Sequence, residues 1–313
     1  MTGPRPVVGL DLGGTKIDAA LVADDGSLLA RRSVPTPASE GPEAVLDALA
    51  AAADAVSGPD AVAVGVAAAG VIDPVSGTVT SATDTLRGWA GTALAEGLAA
   101  RTGLPVACDN DVRAAAATEL ASLDGPDGSM VYVAVGTGVG GAVAAAGRIL
   151  NGTAGIAGHL GHVPSPEAAG LPCTCGATGH LEAIAAGPAI AAHYARTTGT
   201  ATGPLQRIAA YASHGDPHAL SAIVLGAQAL GRVLGGLANA LGPERVVVAG
   251  GVPRIGTLYW DALCEAFTDQ LMPPIGELRP QPPRVGHDAA VLGAAALTRT
   301  LPLHNPRTTG APR

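Results

Sequence analysis

Aromatic side chains are nearly absent: one Phe, two Trp and four Tyr make up 2% of 313 residues. A core without them has to be built from closely packed Ala, Val and Leu. Lysine is scarcer still, since Lys16 is the only one. Basic residues number 18 against 26 acidic, the net charge is −8 and no basic run occurs. The electrostatic footprint of a nucleic-acid or anionic-lipid binder is therefore missing, and neither partner is expected. Four cysteines are too few for a disulfide scaffold at this length, and two of them form a Cys-x-Cys that suits a metal better. Neither a signal peptide nor an uninterrupted apolar span of membrane length is legible, so the expectation is a cytoplasmic protein with no membrane contact.

What is present is 48% apolar residues and 44 glycines, enough for a real core with much close backbone packing. The length suggests two domains around a shared cleft. Two segments have the same layout. "VVGLDLGGTKIDAALVADDGSLLARRSVPT" and "SMVYVAVGTGVGGAVAAAGRILNGTAG" each run strand, glycine turn, strand, glycine turn, strand, the alternation of an antiparallel meander. Their recurrence near the start of each half suggests two related α/β lobes. Between them, "GPEAVLDALAAAADAV" and "DPHALSAIVLGAQALGRVLGGLANAL" have apolar residues at helical spacing, the second starting at Asp216 and Pro217. "DAVAVGVAAAGVID" and "ERVVVAGGV" read as further buried strands.

The glycine turns carry the first chemical signal. "DLGGTK" sets Asp11 at a strand end, with Gly13, Gly14 and Thr15 in the turn and Lys16 after it. Amides freed by such a turn can hold phosphate oxygens, and a carboxylate beside them can hold magnesium. The Walker A spacing is missing, and a plain structural turn satisfies the same residues. A second loop, "GTGVGG" with Gly136, Thr137 and Gly138, occupies the equivalent place in the other half. A third, with Gly250 and Gly251, follows a buried strand and offers flat backbone to a base, or simply ends the strand. "CDNDVRAAAATE" places Asn110 and Asp111 between a strand and an Ala-rich helix. Asp111 is either the cap of that helix or a general base taking a proton from a substrate hydroxyl that Asn110 orients. Residues 157–182 gather His159, His162, Cys173, Cys175, His180 and Glu182 into one Gly-rich stretch, which suits a metal knot, a substrate pocket or both.

The ordered series "DLGGTK", "CDND", "VGTGVGGAV", "AGHLGH", "CTCGATGHLEAIAAGPAI", "VVVAGG" and "HDAAVLGAAAL" resembles the ROK family of sugar kinases and related repressors over residues 7 to about 299. The resemblance implies an actin/hexokinase-like α/β fold of two ribonuclease-H-like lobes around a central cleft. It also implies ATP with magnesium and phosphoryl transfer to a hexose. On that pattern the first lobe is residues 1–112 completed by a closing helix at 287–303, the second is 113–286, and 304–313 is a frayed tail. Repressor members carry a helix-turn-helix ahead of the first lobe; with six residues before the first strand here, DNA binding is not expected. Family members are commonly homodimers or homotetramers.

By the same resemblance, His162, Cys173, Cys175 and His180 hold a structural zinc, with His180 where the family has a third cysteine. Zinc accepts imidazole as well as thiolate, and the ligand set then carries two negative charges instead of three. The implied sugar ligands are Gly70, Asn110, Asp111, His159, His162 and Glu182. Loss of the zinc is expected to loosen the sugar side before the phosphate loops. Glutamate stands in the family's glucokinases where this chain has His159, and N-acetylmannosamine kinases of the family carry His there. Phosphorylation of N-acetylmannosamine at the 6-hydroxyl, a step of sialic acid breakdown, is the first expectation, with a glucokinase as the alternative and a non-catalytic sugar sensor behind both. "LRGWAGTAL" imperfectly resembles the family's substrate-loop helix.

Overall fold

The first strand–glycine–strand pattern forms an antiparallel meander of β1 (Val7–Leu12), β2 (Lys16–Val22) and β3 (Leu28–Pro35). The computed structural model describes residues 5–123, 127–201 and 203–300. β1 and β2 are buried along most of their length, and β3 is the exposed edge that carries Arg31 and Arg32. α1 (Pro42–Val56) then buries Val45, Leu46, Leu49, Ala52, Ala53 and Val56, an apolar stripe at helical spacing. The chain continues through β4 (Val64–Ala68), the short pair β5 (Val71–Ile72) and β6 (Val79–Ser81), α2 (Leu94–Thr102) and β7 (Val106–Asn110). α3 (Asp111–Leu120) follows β7 without a loop. The sheet order is β3-β2-β1-β4-β7, with β4 parallel to β1 and β7 parallel to β4.

One local expectation fails here. Residues 86–92 are turns and irregular backbone, Ala93 bridges to Thr78, and helix begins only at Leu94. Gly88 and Gly91 sit at φ of 68° and 87°, outside helical backbone. Trp89 is instead a core residue, 1% exposed, with its indole N–H donating to the Ala69 carbonyl at 3.2 Å.

The second meander repeats the plan with β8 (Met130–Val135), β9 (Val139–Ala145) and β10 (Arg148–Ile149). Helices α4 (Glu182–Ala185), α5 (Gly187–Thr198), α6 (Leu205–Ser213) and α7 (Pro217–Leu241) lead to β11 (Arg245–Ala249). After α8 (Thr257–Thr268) comes β12 (Pro280–Gln281), and the order β10-β9-β8-β11-β12 reproduces the first sheet in both sequence and strand direction. This is the duplicated ribonuclease-H-like arrangement. α7 starts where the sequence signals, with the Asp216 carboxylate accepting from the His218 and Ala219 amides. α7 is long and apolar enough to cross a membrane by length and composition alone, with a mean hydropathy of 1.5, although Gln228 and Arg232 interrupt its apolar run. Half of that window is buried, and its Ala and Leu face packs against α5 and α8, so core packing accounts for the composition.

The chain divides into two compact units, Met1–Ala114 with Ala290–Arg313, and Ala115–Ala289. α9 (Ala289–Leu297) belongs to the first and lies directly on its strands. Gly9 and Gly65, paired across β1 and β4, make this approach possible: a Cβ on either would sit 2.2 Å from the Val291 carbonyl or 1.7 Å from that of Ala294. The tail at 304–313 and positions 301–303 of the expected closing helix lie outside the described residues.

Candidate active site

In the first unit, the β7–α3 junction holds the paired Asn110 and Asp111. Asn110, rather than Asp111, is the principal cap: its Oδ1 accepts from the amides of Val112 at 3.0 Å and Arg113 at 3.2 Å. Its Nδ2 donates to the Gly70 carbonyl at 3.0 Å and to Asp111 Oδ1 at 2.9 Å. These four bonds fill the capacity of an amide side chain, so a sugar hydroxyl would have to displace one of them. Asp111 Oδ1 also accepts from the Val112 amide at 2.9 Å. Burial raises the Asp111 pKa, and the Val112 amide, Asn110 and the Arg113 charge offset that only in part.

Two residues not foreseen in the sequence stiffen this junction. The Arg113 guanidinium, 1% exposed, donates through Nε to Asp109 Oδ1 at 2.7 Å, through Nη2 to the same oxygen, and to the Ile72 carbonyl at 3.3 Å. Asp109 in turn accepts from the Asn110 amide at 2.7 Å. Strand end, helix start and the β5 segment are thus tied by one buried ion pair. The signal was an Asp and an Arg four apart, but pairs at that spacing are ordinarily solvated.

The "DLGGTK" turn is closed by the Gly13 amide donating to the Lys16 carbonyl at 3.0 Å, and Thr36 Oγ1 donates to the Gly13 carbonyl at 2.7 Å. Gly14 faces Thr85, whose Cγ2 would lie 2.4 Å from an added Cβ. Thr15 and Lys16 are exposed. The Lys16 ammonium is paired with Asp18 at 2.6 Å, so it would have to leave that partner to meet a phosphate. Burial and then the charges of Asp111 and Asp18 push the Asp11 pKa from 3.8 to about 7, against the pull of Lys16. A half-buried carboxylate so poorly compensated suits a cation partner.

In the second unit, the loop Gly136–Thr137–Gly138 joins β8 to β9. The Gly136 carbonyl accepts from the Gly187 amide at 2.9 Å. Glu182 reaches the other end of the loop, its Oε2 accepting from the Val139 amide at 2.8 Å and its Oε1 from Thr174 Oγ1 at 2.5 Å. Gly250, after β11, has φ of 101°, and a Cβ there would lie 2.2 Å from the Val135 carbonyl; Gly251 is exposed and open.

The Cys and His residues do come together. Backbone bonds from Gly179 to Leu171, Ser165 to Gly179 and Leu181 to Val163 fold residues 163–181 back on themselves. The ligand atoms of His162, Cys173, Cys175 and His180 then all lie within 4.8 Å of one another. Two pairs are closer: Cys173 Sγ is 3.6 Å from His162 Nδ1, and Cys175 Sγ is 3.2 Å from His180 Nδ1. A zinc tetrahedron has ligand–ligand edges of about 3.3–3.8 Å, so this donor set fits the ion after a small contraction. His159 stacks beside His162, with ring centroids 6.3 Å apart and planes inclined by 16°. Its Nδ1 faces the Ile156 carbonyl at 2.9 Å, which places the ring proton there and makes Nε2 an acceptor in the neutral ring.

Comparison with known proteins assigns the chain to a family. The ROK family model matches residues 7–300. An N-acetylmannosamine kinase of Escherichia coli (strain 55989 / EAEC) is 37% identical over 290 residues, 93% of this chain and 97% of that protein. Among solved structures, a ROK hexokinase from Thermus thermophilus superposes with a TM-score of 0.82 at 34% identity, covering 93% of this chain and 97% of the other. A ROK family glucokinase from Streptomyces griseus, in complex with glucose and AMPPNP, gives 0.79 at 31% identity, covering 94% and 99%. With an actin/hexokinase-like fold and a family match across nearly its whole length, the chain belongs to the ROK family.

Proposed function

We propose that this ROK-family sugar kinase transfers the terminal phosphoryl group of ATP to the 6-hydroxyl of N-acetylmannosamine, with Asp111 as general base. The environment of Asp111 carries most weight. Its Oδ1 is held by Asn110 and the Val112 amide, which leaves Oδ2 to take the substrate proton, and burial raises its pKa and with it its basicity. Asn110, anchored by Gly70, fixes the carboxylate, and Arg113 with Asp109 fixes Asn110.

Phosphate oxygens are assigned to the turn Gly13, Gly14 and Thr15, with Lys16 recruited from Asp18, and to the loop Gly136, Thr137 and Gly138. Gly250 and Gly251 are assigned to the nucleotide base. Magnesium, when bound at Asp11, would supply charge neutralisation on the phosphates. His162, Cys173, Cys175 and His180 would hold a zinc ion that cross-links the loop carrying the sugar ligands. His162, with Nδ1 toward the cysteines, offers Nε2 to a sugar hydroxyl. His159 Nε2 accepts one hydroxyl where a glutamate accepts two, and Glu182 contributes a further acceptor.

Identity of 37% to an N-acetylmannosamine kinase supports the acceptor sugar. Glucose is the alternative, supported by the 34% and 31% identities to a hexokinase and a glucokinase. Incubation with ATP, magnesium and a panel of hexoses and N-acetylhexosamines, followed by product analysis, tests both. Preferred transfer to N-acetylmannosamine upholds the proposal, and transfer to glucose alone replaces it with the second.

A further inference from the structure

Glu182, the first residue of α4, lies where two segments of the second unit meet. One carboxylate oxygen accepts from the Thr174 hydroxyl at 2.5 Å, and Thr174 stands between Cys173 and Cys175. The other accepts at 2.8 Å from the amide of Val139, the residue that follows Gly136–Thr137–Gly138. The absence of a side chain at Gly138 makes this contact possible, because a Cβ there would lie 2.6 Å from Glu182 Oε2. Thr174 has its own position set by the knot: the Cys173 amide donates to the Ala177 carbonyl at 2.8 Å and the Gly176 amide to the Cys173 carbonyl at 3.0 Å.

We propose that Glu182 is a positioning residue that ties the Gly136–Gly138 loop to the Cys/His knot, so that the order of the knot sets the affinity of the loop for nucleotide phosphate. The inference rests on that loop being a phosphate site. A carboxylate gripped through both oxygens has one rotamer, and its charge-assisted bond to the first amide of β9 fixes where the loop ends. Disorder at Thr174 releases one grip, and the carboxylate regains rotamer freedom at the cost of the Val139 bond. A metal bound at the knot holds Thr174 and therefore the loop. Loss of metal then reaches the phosphate side through two hydrogen bonds, in contrast to the expectation that it loosens the sugar side first.

The test uses the full chain and the variants Thr174→Val and Glu182→Ala, each with its bound zinc measured. Binding of magnesium AMPPNP is followed by calorimetry, and hydrogen exchange is followed in the peptide spanning residues 136–139. Both variants are expected to retain zinc, to exchange faster in that peptide and to bind the analogue about five-fold more weakly, the effect of losing roughly one net hydrogen bond. Wild-type protein stripped of zinc and returned to magnesium should match Thr174→Val. Wild-type affinity in both variants, where wild type itself binds the analogue, overturns the proposal. Faster loop exchange in a protein that binds no analogue even as wild type leaves the tie standing and removes the phosphate assignment instead.

Discussion

Asp11→Asn should make the protein more stable at alkaline pH while impairing turnover. Burial and the charges of Asp111 and Asp18 raise the Asp11 pKa from 3.8 to about 7. At about 1.4 kcal/mol per pH unit, keeping that carboxylate ionised in the folded state costs about 4 kcal/mol in full. The folded pKa lies above the unfolded one, so this group's contribution is whole below pH 3.8 and is lost as pH rises through about 7. Between pH 5 and pH 8 the wild type should lose about 2–3 kcal/mol through this site, whereas Asn loses none. Urea unfolding of both proteins at the two pH values, without magnesium and followed by circular dichroism, reads the difference. The variant's kcat/KM should fall by about two orders of magnitude, since the proposed cation ligand is gone. Parallel pH dependence in the two proteins would refute the account of a strained carboxylate at the turn.

Arg113→Met leaves Asp109 buried without its counter-charge and should destabilise the protein by about 3–5 kcal/mol in urea unfolding, an effect that an exposed pair would not produce. Gly65→Ala drives a methyl group into the Ala294 carbonyl and should cost about 3 kcal/mol, lowering the thermal midpoint by about 5 °C; an unchanged midpoint would mean that α9 does not rest on these strands. His159→Glu replaces a single acceptor by a double one and should shift the kcat/KM ratio toward glucose over N-acetylmannosamine by about ten-fold, measured by competition between the two sugars.

Elements with a local chemical signature were legible in the sequence. The two meanders follow from alternation broken by glycine, and the start of α7 follows from Asp216 and Pro217. The four residues of the knot could be named together because the resemblance to the ROK family marks them, His180 standing where the family has a third cysteine, and the structure brings their ligand atoms within 4.8 Å. Features that depend on contacts between distant segments were not legible. Gly9 and Gly65 look like any strand glycines until α9 lies across them. The segment around Trp89 resembles a substrate-loop helix, yet two glycines of positive φ keep it out of helical backbone and the indole fills the core. Of the two readings of Asp111, cap or base, the cap falls chiefly to Asn110, because its oxygen reaches two amides while its nitrogen is held by Gly70. The resemblance implies a sugar ligand at Glu182, and its bonds to Thr174 and Val139 are visible only in the fold.

The most direct test of the proposed chemistry is phosphorus NMR of the reaction of ATP, magnesium and N-acetylmannosamine with wild type and with Asp111→Asn, alongside calorimetry of sugar binding to each. Wild type should yield the 6-phosphate, and the variant should bind sugar with nearly unchanged affinity while transferring no phosphate above background. A variant that turns over at the wild-type rate would contradict the assignment of Asp111 as the base.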